Sequence, residues 1–207
     1  WNHEAGLFAF DAVANLVGVF IEKTIPRYRS QRGRFGERRV GQTGSFTAWL
    51  AGGSSGSIVS SVLKTSHSIS LGAHESTVQL RASVILSTDW GNYHEVNDGG
   101  RTTSKITKLA DGALLDTSPG SVIDRCLLSG NRRAGILIES SPGTQVDRTL
   151  VNATDGQYGL VVQHTPGTVV STSLSFGASL QNYALDAGLA LPAPPKPFAL
   201  TSPTEPP

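Results

Sequence analysis

Apolar and small residues recur along this chain in a fixed spacing. Six segments share an aliphatic residue that is usually followed, three positions later, by a small one. The aliphatic positions are Leu16, Ile58, Leu80, Ile123, Val146 and Val170, and the small positions are Ser61, Ser83, Cys126, Thr149 and Ser173. Helical periodicity is absent, so the pattern predicts short β-strands. Stacked units would place each set in one internal row.

Proline-glycine turns separate the later strands. They lie at Pro119-Gly120, Pro142-Gly143 and Pro166-Gly167, so the prolines are 23 and 24 residues apart. Proline and glycine suit the second and third positions of a type II turn. Equal spacing of this kind indicates a repeat whose units bury their apolar sides by stacking on their neighbours.

The same unit extends to the N-terminus, because residues 2–7 match residues 131–136 at Asn, Ala, Gly and the next aliphatic residue. The first strands of the units are expected near Gly6, Ser45, Ser68, Gly112, Gly135, Gly159 and Asn182. Two of the intervals are long. The excess predicts insertions at residues 25–44 and 89–111, which follow Thr24 and Thr88 and therefore leave the same corner.

The Asn-x-x-x-Gly-Ile-x-Ile pattern at residues 131–138 resembles that of the pectate-lyase-like right-handed parallel β-helix superfamily, particularly its bacterial surface and secreted repeat proteins. The resemblance implies an all-β solenoid of about six coils of ~23 residues over residues 1–186, with two long loops on one edge. Residues 187–207 are rich in proline and are expected to form a tail or linker. Since that superfamily hosts lyases, hydrolases, adhesins and tail spikes, it implies no single activity.

Composition narrows the classes of protein. Charged residues make up 16% of the chain, the formal net charge is +1, and Gly is abundant, which favours a secreted or cell-surface all-β protein. The one cysteine, Cys126, excludes an intrachain disulfide and is expected to pack inside the small row. An apolar run long enough to span a membrane is absent. The first coil is open, so we expect flanking chain or another subunit to cover it.

The first insertion is a candidate polyanion site. Its arginines are Arg27, Arg29, Arg32, Arg34, Arg38 and Arg39, against the single acid Glu37. Guanidinium groups pair with carboxylate, sulfate or phosphate, so an acidic polysaccharide, a lipid headgroup or a nucleic acid would suit this insertion. The rest of the chain is not basic and lacks nucleic-acid motifs, which disfavours nucleic acid. The alternative is a solvated loop whose arginines contact coil carbonyls or acids of the second insertion.

The second insertion combines aromatic and acidic residues. Trp90, Tyr93, His94 and Asp98 lie in it, and Trp49 is predicted to point outward nearby. Aromatic faces stack on sugar rings and carboxylates suit Ca²⁺, so a glycan or calcium is a candidate ligand. The spacing does not match an EF-hand, and no cofactor is assigned. Aromatic packing beneath the insertion and a turn at Asp98 are the alternatives.

Motifs of known enzymes are absent, including a nucleophile elbow, a P-loop and the Asn-Thr-Asp and Gly-His-Gly strings of polygalacturonases. Asp124-Arg125 and Asp147-Arg148 read as a surface ion-pair ladder. The leading hypothesis is a non-enzymatic structural, adhesive or glycan-binding scaffold. The alternatives are a polysaccharide lyase or depolymerase that uses His94, Asp98 and the insertion arginines, and a protein-protein assembly module with end-to-end contacts.

Overall fold

The computed structural model is all-β and describes residues 2–3, 5–25, 28–32, 38–42, 45–95 and 105–189. Residues 2–3, 25, 28–32, 38–42, 92–95 and 105–107 are described by their backbone alone. The described strands fall into two large parallel sheets and three two-stranded pairs. Helices are absent from the described residues, so none of them forms a helix that could span a membrane.

The smaller of the two large sheets holds the predicted aliphatic row. Its six strands are β3 (Val13–Val17), β9 (Ser55–Val59), β11 (Thr77–Arg81), β16 (Val122–Asp124), β19 (Gln145–Asp147) and β22 (Val169–Ser171). All are paired in parallel. The register aligns Leu16, Ile58, Leu80, Ile123, Val146 and Val170. The row read from the sequence is therefore confirmed.

The larger sheet has twelve parallel strands and branches at β10 (Val62–His74). One limb contains β4 (Phe20–Glu22), β12 (Val84–Asp89), β17 (Leu127–Ser129), β20 (Leu150–Asn152) and β23 (Leu174–Phe176). The other contains β2 (Ala5–Phe10), β8 (Ser45–Ala51), β15 (Asp111–Asp116), β18 (Ala134–Glu139), β21 (Tyr158–Gln163) and β24 (Gln181–Ala184). The first half of β10 pairs with β4 and β12, and its second half pairs with β8 and β15.

The prediction of a single right-handed parallel β-helix of about six coils with two long loops is wrong. What the structure shows is an all-β, solenoid-like arrangement of parallel strands, divided between the branched twelve-stranded sheet and the separate six-stranded sheet. Part of the reason lies in β10, where residues 64–68 contain neither Gly nor Pro, so that pairing runs through the expected corner. Equal turn spacing counts repeats, but it does not determine which strands share a sheet.

The insertions contain antiparallel hairpins rather than loops. In the first, β6 (Tyr28–Arg32) pairs with β7 (Arg38–Gln42), and in the second, β13 (Gly91–Glu95) pairs with β14 (Lys105–Leu109). The short strands β1 (Asn2–His3) and β5 (Thr24–Ile25) pair in parallel just before the first hairpin. The strands that lead into the two hairpins lie on either side of β10, since β4 and β12 both pair with its first half.

Left-handed backbone positions mark the bends between the sheets. The residues between the six-stranded sheet and the β4 limb have φ between 46° and 65°. They are Gly18, Ser60, Ala82, Arg125, Arg148 and Thr172. Because L-residues adopt this region at a cost, its recurrence at matched positions shows that packing on both sides imposes the bend.

The small row follows each of these bends and satisfies buried backbone groups. Ser61, Ser83, Thr149 and Ser173 each donate their hydroxyl to the carbonyl two residues earlier, and the Cys126 thiol donates to the carbonyl of Asp124 at 3.2 Å. The hydroxyl oxygens of this row also accept hydrogen bonds from backbone N–H groups of the preceding unit, as Thr149 Oγ1 does from the Cys126 N–H. Burial raises the pKa of Cys126 to about 11, so its expected packing role is confirmed.

The C-terminal end of the described core is closed by the chain itself. Tyr183 accepts a hydrogen bond from the Ser175 N–H at 2.7 Å and donates to the Ser173 carbonyl, while Leu185 and Leu189 pack against the core. Of the predicted tail at 187–207, residues 190–207 lie outside the described residues. The division of the chain at residue 186 stays a prediction.

Candidate functional site

A groove runs across the outer face of β18, β21 and β24. Successive side chains of a strand point to opposite faces, so Ile136 and Ile138 enter the core while Leu137 and Glu139 point outward. The groove has a volume of about 350 Å³. It is lined by Arg133, Ala134, Leu137, Glu139, Tyr158, Val161, Gln163, Gln181 and Ala184, which we call the outer groove.

The floor of the outer groove is apolar because one outward row carries aliphatic residues on successive strands. Leu137 pairs with Val161, and Val161 pairs with Ala184. Leu114 continues the row on β15. Parallel strands lie about 4.8 Å apart, so these side chains form a continuous strip.

One wall of the groove is polar. Glu139 lies in register with Asp116 on one side and with Gln163 on the other. Asp116 in turn meets His74, whose Nδ1 lies 2.9 Å from Asp116 Oδ2. Carboxylate, amide and imidazole groups therefore follow one another along this wall. On each strand they lie two residues after the apolar floor row of Leu114, Leu137 and Val161.

The opposite wall holds a cation fixed by a buried acid. Arg133 Nε donates to Asp111 Oδ1 at 2.7 Å, and its Nη2 donates to Asp111 Oδ2. Asp111 is fully buried. Burial raises the pKa of Asp111, and the hydrogen bonds and charge of Arg133 offset this only in part. Tyr158 and Gln181 stand beside Arg133 on the next two strands.

This arrangement suits binding of a polar ring compound. A flat apolar strip and a tyrosine provide surface for sugar-ring faces, and the two walls offer donors and acceptors for hydroxyl groups. Among the described residues, three or more His, Cys, Asp or Glu side chains nowhere come together in a group that could hold a metal ion. The predicted Ca²⁺ site stays untested, because Asp98 lies outside the described residues.

The arginines of the first insertion are only partly described. Arg27 and Arg34 lie outside the described residues, whereas Arg29 and Arg32 lie on β6 and Arg38 and Arg39 on β7. The backbone register pairs Arg32 with Arg38. The hairpin therefore gathers four arginines onto ten paired positions, as the polyanion hypothesis requires, and that hypothesis stays a prediction.

The structure places the aromatic residues in and beside the second insertion on different elements. Trp90 is exposed, and Tyr93 and His94 lie on β13 opposite Thr107 and Ile106. Trp49 packs beneath the hairpin with Ile69 and Leu109 and is 8% exposed. Space for its indole comes from Gly72, its partner in register, where a Cβ would overlap the ring. Trp49 is buried packing and not an open sugar platform.

A smaller cleft of about 210 Å³ lies at the corner from which the second hairpin leaves. Asp89, Arg132, Asp155 and His67 line it, and Arg132 Nε lies 3.9 Å from Asp89 Oδ1. Nδ1 of His67 is buried and has no hydrogen-bond partner among the described residues. The mixed charges of this cleft make it a weaker candidate than the outer groove.

The predicted ladder of Asp124 and Asp147 is present. The two residues are in register, Arg125 and Arg148 both bind Asp124, and Arg148 also binds Asp147. Asp124 differs from the prediction in one respect, since its side chain is 3% exposed and also meets Arg81 at 3.6 Å. Burial acts to raise the pKa of Asp124, but hydrogen bonds from Arg125 and Arg148 outweigh burial and lower it.

Sequence reasoning missed Arg133, Tyr158, Gln163 and Gln181. The sequence held one signal for the Asp111–Arg133 pair, namely the position of each residue relative to the start of its strand. Asp111 stands directly before Gly112 and Arg133 two residues before Gly135, and these two glycines mark aligned strand starts of neighbouring units. Comparisons with protein-family models, with curated proteins and with solved structures found no match to this chain. The resemblance read from the repeat pattern therefore stays a hypothesis.

Proposed function

We propose that this protein is a non-enzymatic carbohydrate-binding scaffold whose ligand lies in the outer groove. The observation that carries the proposal is the apolar row of Leu137, Val161 and Ala184 between two hydrogen-bonding walls. Sugars present the same combination, with C–H faces on the ring and hydroxyl groups at its rim.

The architecture favours an extended ligand over a small one. Equivalent positions repeat about every 4.8 Å along the groove, so a chain of sugars running across the strands would meet similar contacts at successive steps. Arg133 adds a fixed positive charge at one wall, because the buried Asp111 holds two of its nitrogens. Glu139 carries the opposite charge on the other wall, so the groove as a whole favours a polysaccharide rich in hydroxyl groups over a strongly anionic one. The scarcity of charged residues and the abundance of Gly, Ser and Thr agree with a protein exposed at the cell surface or secreted.

The test is a binding assay against soluble neutral, uronic-acid and sulfated polysaccharides, measured by calorimetry with Tyr158→Ala, Gln163→Ala and Gln145→Ala variants. Gln145 is exposed on the six-stranded sheet and serves as the matched control for Gln163. We expect Tyr158→Ala to weaken binding by about tenfold or more, since loss of a stacking aromatic costs on the order of 1–3 kcal/mol in comparable sites.

Two outcomes would contradict the proposal. Unchanged affinity in both groove variants would remove the outer groove as the binding site. Shortening of the bound polysaccharide during incubation with the native protein would show catalysis, and would favour the lyase or depolymerase alternative over a binding scaffold.

A further inference from the structure

The polar wall of the outer groove continues across the sheet, beyond the groove itself. The register leads from Glu139 and Asp116 to His74 on β10, then to Ala51 on β8 and finally to Phe10 on β2. The residue that precedes each of them belongs to the core, so all five side chains point outward. All five are exposed or half-buried. One outward row therefore connects the outer groove with β2, a strand at the edge of the sheet.

Two phenylalanines on β2 stand at the end of this row with most of their surface exposed. Phe8 is 60% exposed and Phe10 is 65% exposed, and we call the pair the aromatic end. Because successive residues of a strand alternate between faces, both rings lie on the face that carries the outer groove. Phe8 is in register with Trp49, which the register joins through Gly72 to Leu114 of the floor row.

The neighbouring residues support the aromatic end without covering it. The Trp49 indole lies over Gly72, on the side of β8 that faces away from β2, and so leaves Phe8 exposed. The Phe10 ring rests against Gly52, where an added Cβ would lie 2.6 Å from Phe10 Cε2. This contact holds the Phe10 ring on one side and leaves its remaining surface available to a ligand.

Packing in the core does not account for the two phenylalanines. On β2 the core contacts are made by Leu7 and Ala9, which point to the other face. An exposed apolar patch beside polar groups indicates a binding surface. Aromatic rings stack on the C–H faces of sugars, and the row between the aromatic end and the groove offers imidazole and carboxylate groups to hydroxyls.

We propose that the aromatic end is a second contact point for the polysaccharide bound in the outer groove. The ligand is then a long polymer and not a short oligosaccharide. This role rests on the carbohydrate binding proposed above. β2 lies five strand positions from β21, which carries Tyr158, and this separation corresponds to about 24 Å. A polymer held at Tyr158 meets the aromatic end at a high effective concentration, so a second weak contact adds substantial affinity. Between the two points it would follow His74 and Asp116, because Trp49 fills the floor at β10.

The test compares two lengths of the same sugar chain. Each polysaccharide of the binding panel is offered intact and as its tetrasaccharide, and calorimetry gives the affinity per binding site. A Phe8→Ala, Phe10→Ala double variant is measured beside Phe20→Ala. Phe20 is the matched control, because it is also 60% exposed on an edge strand but lies on the other limb. We expect the double variant to bind the polymer about tenfold or more weakly and the tetrasaccharide unchanged, whereas Phe20→Ala changes neither.

The outcomes separate this second contact point from the proposed function. Tyr158→Ala should weaken binding of both lengths, because each of them occupies the outer groove. If it does so while the double variant binds the polymer as the native protein does, the aromatic end is not a contact point and only this proposal fails. Equal affinity of the native protein for polymer and tetrasaccharide would also overturn it. If no polysaccharide binds, or if the groove variants bind as the native protein does, the proposed function fails and the second contact point with it. Circular dichroism of each variant confirms that it folds.

Discussion

Arg133 donates a hydrogen bond from Nε to Oδ1 of Asp111 at 2.7 Å, across one repeat of the chain, and the carboxylate that accepts it is fully buried. The pair fixes the start of β15 against the chain that leads into β18. It also presents the rest of the guanidinium to the outer groove. Structure and proposed binding thus depend on the same two side chains.

Removal of Arg133 should be costly. In Arg133→Ala the buried carboxyl of Asp111 loses its only described ion-pair partner, and breaking a buried pair from one side typically costs ~3–5 kcal/mol. We expect the free energy of unfolding near neutral pH to fall by about this amount in urea denaturation. Arg132→Ala is the matched control, since the neighbouring arginine is half exposed and meets Asp89 only at 3.9 Å, and it should cost less than about 1 kcal/mol.

The deficit of Arg133→Ala should also depend on pH. The folded pKa of Asp111 is already raised by burial, and loss of Arg133 removes what lowers it. Between the unfolded pKa of about 3.9 and the raised folded pKa, the folded state binds more protons, so stability falls as pH rises through that window. The gap between Arg133→Ala and the native protein should therefore shrink in acid. A gap of constant size would contradict this account.

The interior rows were readable from the sequence because a repeat imposes the same residue type at each internal position. Ile58, Leu80 and Ile123 all fill the same layer, and Ser83 and Thr149 each donate to the carbonyl two residues earlier in their own unit. The division into two sheets was not readable, since the lack of Gly and Pro in residues 64–68 is too weak a signal to predict that pairing continues through β10. Outward positions such as Tyr158 and Gln163 are free to vary between repeats. The outer groove therefore became visible only when the register brought them beside Arg133.

Asp124 should contribute stability that acid removes. Its folded pKa is lowered, so between the unfolded value of about 3.9 and the folded value the unfolded chain binds more protons. The contribution is present above the unfolded pKa and is lost as pH falls through the folded pKa. In Asp124→Asn we expect a flatter dependence of the free energy of unfolding on pH between about 5 and 2. Asp155→Asn, at an exposed acid, is the control, and an equal flattening there would contradict the assignment to Asp124.

Cys126 should be unreactive and replaceable by serine. Its thiol is buried and its pKa is raised to about 11, so labelling by a thiol reagent at neutral pH should occur only as fast as the protein opens. Cys126→Ser places a hydroxyl where Ser83 and Thr149 already donate to equivalent carbonyls, and it should change stability by less than about 1 kcal/mol. Cys126→Leu is the contrasting variant and should cost more through overpacking. Rapid labelling of the folded protein would contradict this description.

Gly135 should tolerate no side chain, because it lies where two neighbouring strands approach the start of β18. A Cβ there would overlap Val151 Cγ1 and lie 2.9 Å from the carbonyl oxygen of Gly159. Gly135→Ala should therefore cost about 1–3 kcal/mol through crowding, measured by urea denaturation. Gly120→Ala is the informative comparison, since Gly120 has open space but a φ of 66°, and its cost of ~1–2 kcal/mol would come from the backbone. Combining each substitution with Val151→Ala separates the two causes. Measured relative to Val151→Ala alone, the cost of Gly135→Ala should fall, whereas the cost of Gly120→Ala should be unchanged. Failure of that rescue would show that the carbonyl of Gly159, and not the side chain of Val151, sets the limit at this position.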